Sequence, residues 1–325
     1  MSHESDDRLH QPHDKLFKLG FSDPVTAAAF LREQIPEPLS RAIEWGSMKL
    51  LPGSFIDPRF RAHQSDLLFS APLGGGEVRL FLLFEHQSTE DRWIALRLLR
   101  YMVSIWEQCE PDQALPPILP VVLAQNDRAW KIRPDFVSLF ELPDGLAGDV
   151  RWFLPDFGFR LIQLAQIPFE AIRGTPAGVV VLRTLKAERS GRLLDEIVWD
   201  EPLLSLIPRA LFEAFVLYLS HADVDSAGLE SNLKTIQTPE LKETAMTLAQ
   251  KLRQEGRQEG RQEGRQEGRL STLRENVVET LGLRLGPVPA GLRQAVEDVA
   301  DEEKLRHLLR LAVRSASIEE FSSGL

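Results

Sequence analysis

Ser65-Asp66-Leu67-Leu68-Phe69-Ser70-Ala71-Pro72-Leu73-Gly74-Gly75-Gly76-Glu77-Val78-Arg79-Leu80-Phe81-Leu82-Leu83-Phe84-Glu85-His86-Gln87 decides how this chain is read. Two strand-like runs, 65–70 and 78–85, flank Pro72 and a glycine triplet, which is the pattern of a hairpin. Leu80 to Phe84 holds no polar residue, so the second run describes a strand buried on both faces. After Ser88 the period becomes helical from about Arg92 to Gln108, with Trp93, Leu96, Leu99, Val103 and Trp106 among the apolar positions. Ile118 to Ala124 then reads as a buried strand following a crossover helix. Strand, strand, helix, strand predicts a mixed α/β core.

The hairpin carries the chemistry. With the turn centred between Gly75 and Gly76, Asp66 falls directly opposite Glu85. Directly opposed residues share a face, with Cβ atoms roughly 4.5–5.5 Å apart. Two carboxylates that close repel unless a cation lies between them, and a hard divalent ion such as Mg²⁺ is the natural occupant. Gln87, two residues past Glu85, faces the same side in an extended strand, while His86 faces the other. Glu-His-Gln at the end of a buried strand marks a site rather than a solvated face.

Further out, residues 1–12 read as a disordered lead-in and His13 to Lys18 opens a helix. Asp23 caps a second helix with Pro24 at its first position, running from Val25 to about Gln34. Pro38 to Trp45 supplies another short helix. Val150–Phe153 and Phe159–Leu164 read as short strands, and from Pro168 the chain is mainly helical. Arg-Gln-Glu-Gly repeats from Arg253 to Gly268. A period of four drifts about 40° per repeat on a helix. It also places like charges at i,i+4 and spends a glycine in every turn. The segment reads as a flexible tether or as a helix stabilised by a partner. Leu270 to Leu325 reads as helical, with a break at Gly286-Pro287 and leucines at 305, 308, 309 and 311.

The 325 residues carry 38 Lys and Arg against 48 Asp and Glu, a net charge of −10. That excludes a passive, charge-driven DNA coat, whose affinity comes from neutralised phosphates. It does not exclude local DNA contacts. The single cysteine, Cys109, cannot form an internal disulfide. No signal-peptide core and no membrane-length apolar run is present, so a cytoplasmic protein without membrane contact is expected.

Several motifs occur in order: His13-Asp14…Phe17-Lys18, Leu39…Trp45, Ser54-Phe55-Ile56-Asp57, Ser65-Asp66-Leu67-Leu68, Phe84-Glu85-His86-Gln87-Ser88 and Arg97-Leu98-Leu99-Arg100-Tyr101-Met102. Together they resemble the Rpn/YhgA-like family of recombination-promoting nucleases and putative transposases, over residues 13 to about 220. The resemblance implies a PD-(D/E)xK, restriction-endonuclease-like mixed sheet flanked by helices, followed here by a mainly helical C-terminal region. It also implies Mg²⁺-dependent DNA cleavage in recombination or transposition-like processes. The first acid falls on Asp66, the second on Glu85 and the lysine position on Gln87, so Asp66 and Glu85 become metal ligands and all three the catalytic set. Gln87 departs from the lysine of the wider superfamily, leaving Arg79 or Arg92, or a second metal, to supply the missing charge. Ala124-Gln125-Asn126 departs from the Tyr-His-Gly-like turn of relatives.

Asp14 is expected either to cap a helix or to add an acid or a DNA contact, and Trp93, Tyr101 and Trp106 are expected in the core. The expected division is a nuclease-like domain over 13–220, a helical linker with the repeats over 221–269, and a small helical domain over 270–325, through which the chain would self-associate. The rival expectation is a catalytically inactive DNA- or protein-binding module.

Overall fold

The computed structural model describes residues 15–52, 67–85, 90–110, 112–126, 128–142, 145 and 147–324. These fall into two compact units, Met1–Leu248 and Ala249–Leu325.

The first unit opens with helix α1, residues 15–21, and α2, Pro24–Gln34. Asp23 caps α2 as expected, its carboxylate accepting from Val25 N and Thr26 N. Phe17 stacks on Phe21 at 4.9 Å, and Phe21 meets Phe30 edge-on at 5.4 Å, which locks α1 to α2. After α3 (Glu37–Ala42) come strands β1 (Lys49–Leu50), β2 (Leu67–Leu73) and β3 (Gly76–Glu85). Helix α4 (Ile94–Trp106) crosses over to β4 (Ile118–Ala124). Then follow α5 (Ala147–Arg151), β5 (Arg160–Gln163), α6 (Pro176–Arg189), α7 (Glu201–Leu204), α8 (Arg209–His221) and α9 (Ser226–Thr235).

The sheet order is β1-β2-β3-β4-β5. β1, β2 and β3 pair antiparallel, while β3, β4 and β5 run parallel. It is the mixed α/β sheet that the strand, strand, helix, strand pattern predicts, and it is consistent with a PD-(D/E)xK-like arrangement.

Both faces are covered, which explains why β3 and β4 read as apolar runs. Leu67, Phe69, Val78, Leu80, Val121, Leu123 and Ile162 form one core with α1, α2, α6 and α8. Leu68, Ile118 and Val122 form the other with Ile94, Leu98, Tyr101, Met102 and Ile105 of α4.

Two expectations are corrected. The hairpin turn is Gly74-Gly75, both with positive φ (54° and 88°), and Leu73 pairs with Gly76. Such a two-residue turn matches the twist of the strands it joins. The centre therefore lies one residue earlier than expected, and the register moves by two: Leu67 faces Leu82. The expected pairing of Asp66 with Glu85 rested on the later centre, and Asp66 itself lies outside the described residues. The expected strand at 150–153 is instead the end of α5 and an exposed stretch. Trp152 and Phe153 are 85% and 83% exposed, so neither provides the buried face that would hold a strand.

Helix α10 (Pro239–Leu285) begins before the end of the first unit and runs on in the second through the Arg-Gln-Glu-Gly repeats, which are helical rather than a tether. It ends at Gly286 with φ +95°, the usual glycine solution at a helix C-terminus. Helices α11 (Ala290–Glu297), α12 (Glu302–Arg314) and α13 (Ile318–Ser322) follow. Val277, Leu281, Val296, Leu305, Leu308 and Phe321 form their core. Arg284 donates to Ala312 O at 2.9 Å, satisfying a carbonyl that the end of α12 leaves open.

Candidate active site at the carboxyl end of the sheet

At one edge of the sheet, two of three adjacent strands end in a polar residue and polar residues follow the third. β3 ends in Glu85, which is in register with Ala124 of β4, and Ala124 with Gln163 of β5. Gln125 and Asn126 follow Ala124 immediately. The carboxyl ends of parallel strands are where α/β sheets place their ligand sites. Asp66 and Gln87 lie outside the described residues, as do His86 and the pair His13-Asp14.

The loop after β4 is held by β5. Gln163 Oε1 accepts from Asn126 Nδ2 at 3.1 Å and from Trp130 N at 2.6 Å, while its Nε2 donates to Trp130 O at 3.3 Å. Asn126 Nδ2 also donates to Arg128 O at 2.6 Å. Asn126 and Trp130 are buried, and Asn126 Oδ1 and Trp130 Nε1 have no protein partner among the described residues.

Gln125 is fully buried, on the side of α6 and α8. Its Nε2 donates to Leu185 O at 2.8 Å and Glu188 Oε2 at 2.6 Å, and Tyr218 OH donates to the same carboxylate oxygen at 2.7 Å. Burial, followed by the negative charge of Glu188 and the hydrogen bond to it, pushes the Tyr218 hydroxyl well above its ordinary pKa. Sequence reading missed this triad. Its members lie 63 and 30 residues apart, and only the polar pair directly after an apolar strand marks Gln125.

The turn ahead of α4 stands beside this edge. Glu90 Oε2 accepts from Lys131 N at 2.8 Å, tying the turn to the β4–β5 loop. Asp91 accepts from Trp93 N at 2.8 Å and from Arg97 Nη1 at 2.9 Å. Arg92 lies over the Trp93 ring, 5.5 Å from its centroid. Tyr101 is in the core and Trp106 packs beside it, its Nε1 donating to Pro116 O. Trp93, by contrast, is 53% exposed and is not a core residue.

Arg79 is excluded as a source of charge beside Glu85. It pairs with Ser70 near the hairpin turn, and six residues of strand put roughly 20 Å between the two backbones. Among the described residues, no three His, Cys, Asp or Glu side chains group as a metal site. No helix among them is long and apolar enough to cross a membrane.

A family described as "Putative transposase, YhgA-like" matches residues 11–205. The chain belongs to that family. Recombination-promoting nuclease RpnD of Escherichia coli O157:H7 is 35% identical over 121 residues, 36% of this chain and 46% of the relative. Recombination-promoting nuclease RpnA of Escherichia coli K12 is 35% identical over 113 residues, 34% and 39% of the two chains. The protein named "Putative inactive recombination-promoting nuclease-like protein YjiP", also of strain K12, is 38% identical over 94 residues, 29% of this chain and 91% of its own length. The match thus spans less than half the length of RpnD and of RpnA. No solved structure matches the chain.

Proposed function

We propose that this YhgA-like chain is a Mg²⁺-dependent DNA endonuclease acting in the cytoplasm in recombination or transposition-like processes, with Asp66 and Glu85 as metal ligands and Gln87 completing the catalytic set. The observation that carries the reading is the position of Glu85. It ends an interior strand at the carboxyl edge of the sheet, in one row with Gln163 of β5 and with Ala124 of β4, which Gln125-Asn126 follow. The names of RpnD and RpnA point to the same chemistry.

The donor set suits the ion: the two carboxylates are hard oxygen ligands, which Mg²⁺ prefers. Bound there, Mg²⁺ supplies Lewis-acid polarisation of the phosphate and acidifies the attacking water. Asp66 and Glu85 hold the charge that keeps the ion in place. Gln87 has no positive charge to offer a developing phosphorane, so its amide orients water or a phosphate oxygen. Positive charge from the protein comes from Arg92, on the turn beside the site.

Plasmid cleavage with Mg²⁺, comparing the wild-type chain with Asp66→Ala and Glu85→Ala, tests the site. Activity surviving in both variants removes it. A second reading is favoured by the name of YjiP and by the missing lysine. In that reading the chain is a binding module that keeps the fold without catalysis. It predicts no cleavage by the wild type under any metal. Gln87→Lys raising cleavage strongly, with Gln87→Ala neutral, would remove the orienting role of the amide.

A further inference from the structure

We infer that the turn ahead of α4 and the loop after β4 form a DNA-holding rail, with Trp93 stacking on a base or sugar face and Arg92, Arg100, Arg128, Lys131 and Arg133 contacting phosphates. The inference rests on DNA being the substrate and, apart from Arg92, assigns residues that the proposed site does not include.

Charge is the first argument. Residues 90–100 and 126–135 together hold six Lys and Arg and four Asp and Glu, a local balance of +2 in a chain of −10. Arg92, Arg100, Arg128, Lys131 and Arg133 are all exposed. Three of the acids are turned to structural work. Glu90 holds Lys131 N, Asp91 holds Trp93 N and Arg97, and Asp135 pairs with Arg133 at 3.4 Å. A local cationic strip on an acidic protein is a polyanion contact that does not cost the whole molecule its repulsion from non-specific nucleic acid.

The second argument is the ring. Trp93 precedes the first residue of α4 and leaves half its surface in water, although Ile94 beside it is 1% exposed. An arginine over one indole face and an open remainder is a stacking platform of the kind used on nucleic-acid bases, with a cation–π partner already in place. Rigidity is the third. Asp91 and Arg97 form their ion pair with side chains only 17% and 21% exposed, so the turn presenting Trp93 is anchored from the interior. Gln163 anchors the facing loop through Asn126 and Trp130. A platform held in place before binding loses little freedom on binding. The rail adjoins the carboxyl edge where Glu85 ends β3, so a strand lying along it passes the proposed metal ligands.

The test uses the full-length chain in a Glu85→Gln background with Mg²⁺, and fluorescence anisotropy of a fluorescein-labelled single strand and its duplex. Trp93→Ala is expected to weaken binding about tenfold, the loss of one stacked base, while Trp93→Phe retains most of it. Lys131→Ala combined with Arg133→Ala is expected to flatten the dependence of log affinity on log salt by ~0.9 on the duplex and ~0.7 on the single strand for each phosphate left without its cation. Trp152→Ala is the control, because Trp152 is more exposed yet lies outside both segments. Binding by Trp93→Ala within twofold of its parent, or an equal loss in Trp152→Ala, overturns the inference. If the wild type cleaves DNA while the rail variants bind as their parent does, the rail falls and the nuclease reading stands. If the rail variants lose binding but no protein cleaves, the rail stands and the catalytic reading falls. No DNA binding at all removes both.

Discussion

The two ends of the five-stranded sheet are built from the same apolar strands and finish in opposite ways. At the hairpin end, Gly74-Gly75 closes the ladder, Ile43 bridges to Leu73, and a groove of about 1090 Å³ opens between α2, α3 and Arg160 at the start of β5. Within it Arg41 pairs with Glu37, and Trp45 Nε1 donates to Ser40 O. At the carboxyl end the strands finish in Glu85, Gln125-Asn126 and Gln163, and several buried polar atoms have no protein partner among the described residues. A buried polar group without a partner costs about 1–3 kcal/mol. A fold tolerates that where something else is served. On the proposed function, the polar edge is the working end and the hairpin end the structural one.

That contrast predicts a double dissociation. The largest effect falls on catalysis: Asp66→Ala or Glu85→Ala is expected to lower plasmid cleavage on the order of 10³-fold, the several kcal/mol a catalytic metal contributes. Thermal denaturation is expected to change little, and EDTA is expected to reproduce the loss in the wild type. Ile43→Ala, at the hairpin end, is expected to cost about 2–5 kcal/mol in urea unfolding and leave cleavage per folded molecule intact. Cleavage lost in parallel with stability would erase the distinction between the ends.

Gln125 at the carboxyl end belongs to the Gln125–Glu188–Tyr218 triad. Tyr218→Phe removes one buried charge-assisted hydrogen bond, worth about 1.5–3 kcal/mol, checked by the same unfolding curves. The sign with pH is fixed by the raised hydroxyl pKa. The folded state binds this proton more tightly, so the contribution is full below the unfolded tyrosine value near pH ~10 and is lost as pH rises beyond it. Wild-type stability should fall on that alkaline limb more steeply than that of Tyr218→Phe. The smallest effect is Gly75→Ala, expected to cost about 1–2 kcal/mol through the positive φ alone, with no change in cleavage.

Local signals carried most of the fold. The Asp23-Pro24 cap, the strand pair, the crossover helix and β4 are each written in a short, continuous pattern. The register was not, because three consecutive glycines offer the required positive φ at either of two turn positions. β3 is apolar throughout 80–84, so either pairing buries it equally well. The 150–153 stretch looked like a strand because Val, Trp and Phe favour strands, but propensity is overridden where no face is buried. Of the candidate site, the polar end of β3 was legible as Glu-His-Gln after five apolar residues. The partners Glu188 and Tyr218, and the grip of Gln163 on Trp130, depend on residues distant in sequence and left no local trace. Trp93 shared the helical spacing of core aromatics, and only its place before the first turn exposes it.

The glycine triplet also governs how this hairpin tolerates changes in length. Surface loops usually accept added and removed residues alike. Here extra residues can be absorbed by a longer hairpin loop, but the existing loop already has the minimum of two. A deletion must be taken from a strand, and a one-residue slip exchanges the faces of β3 relative to β2. β3 carries Arg79 between the fully buried Val78 and Leu80, so the slip would turn a guanidinium toward the core those two fill. A residue removed from this turn therefore disturbs the packing of the whole strand, whereas a residue added need not.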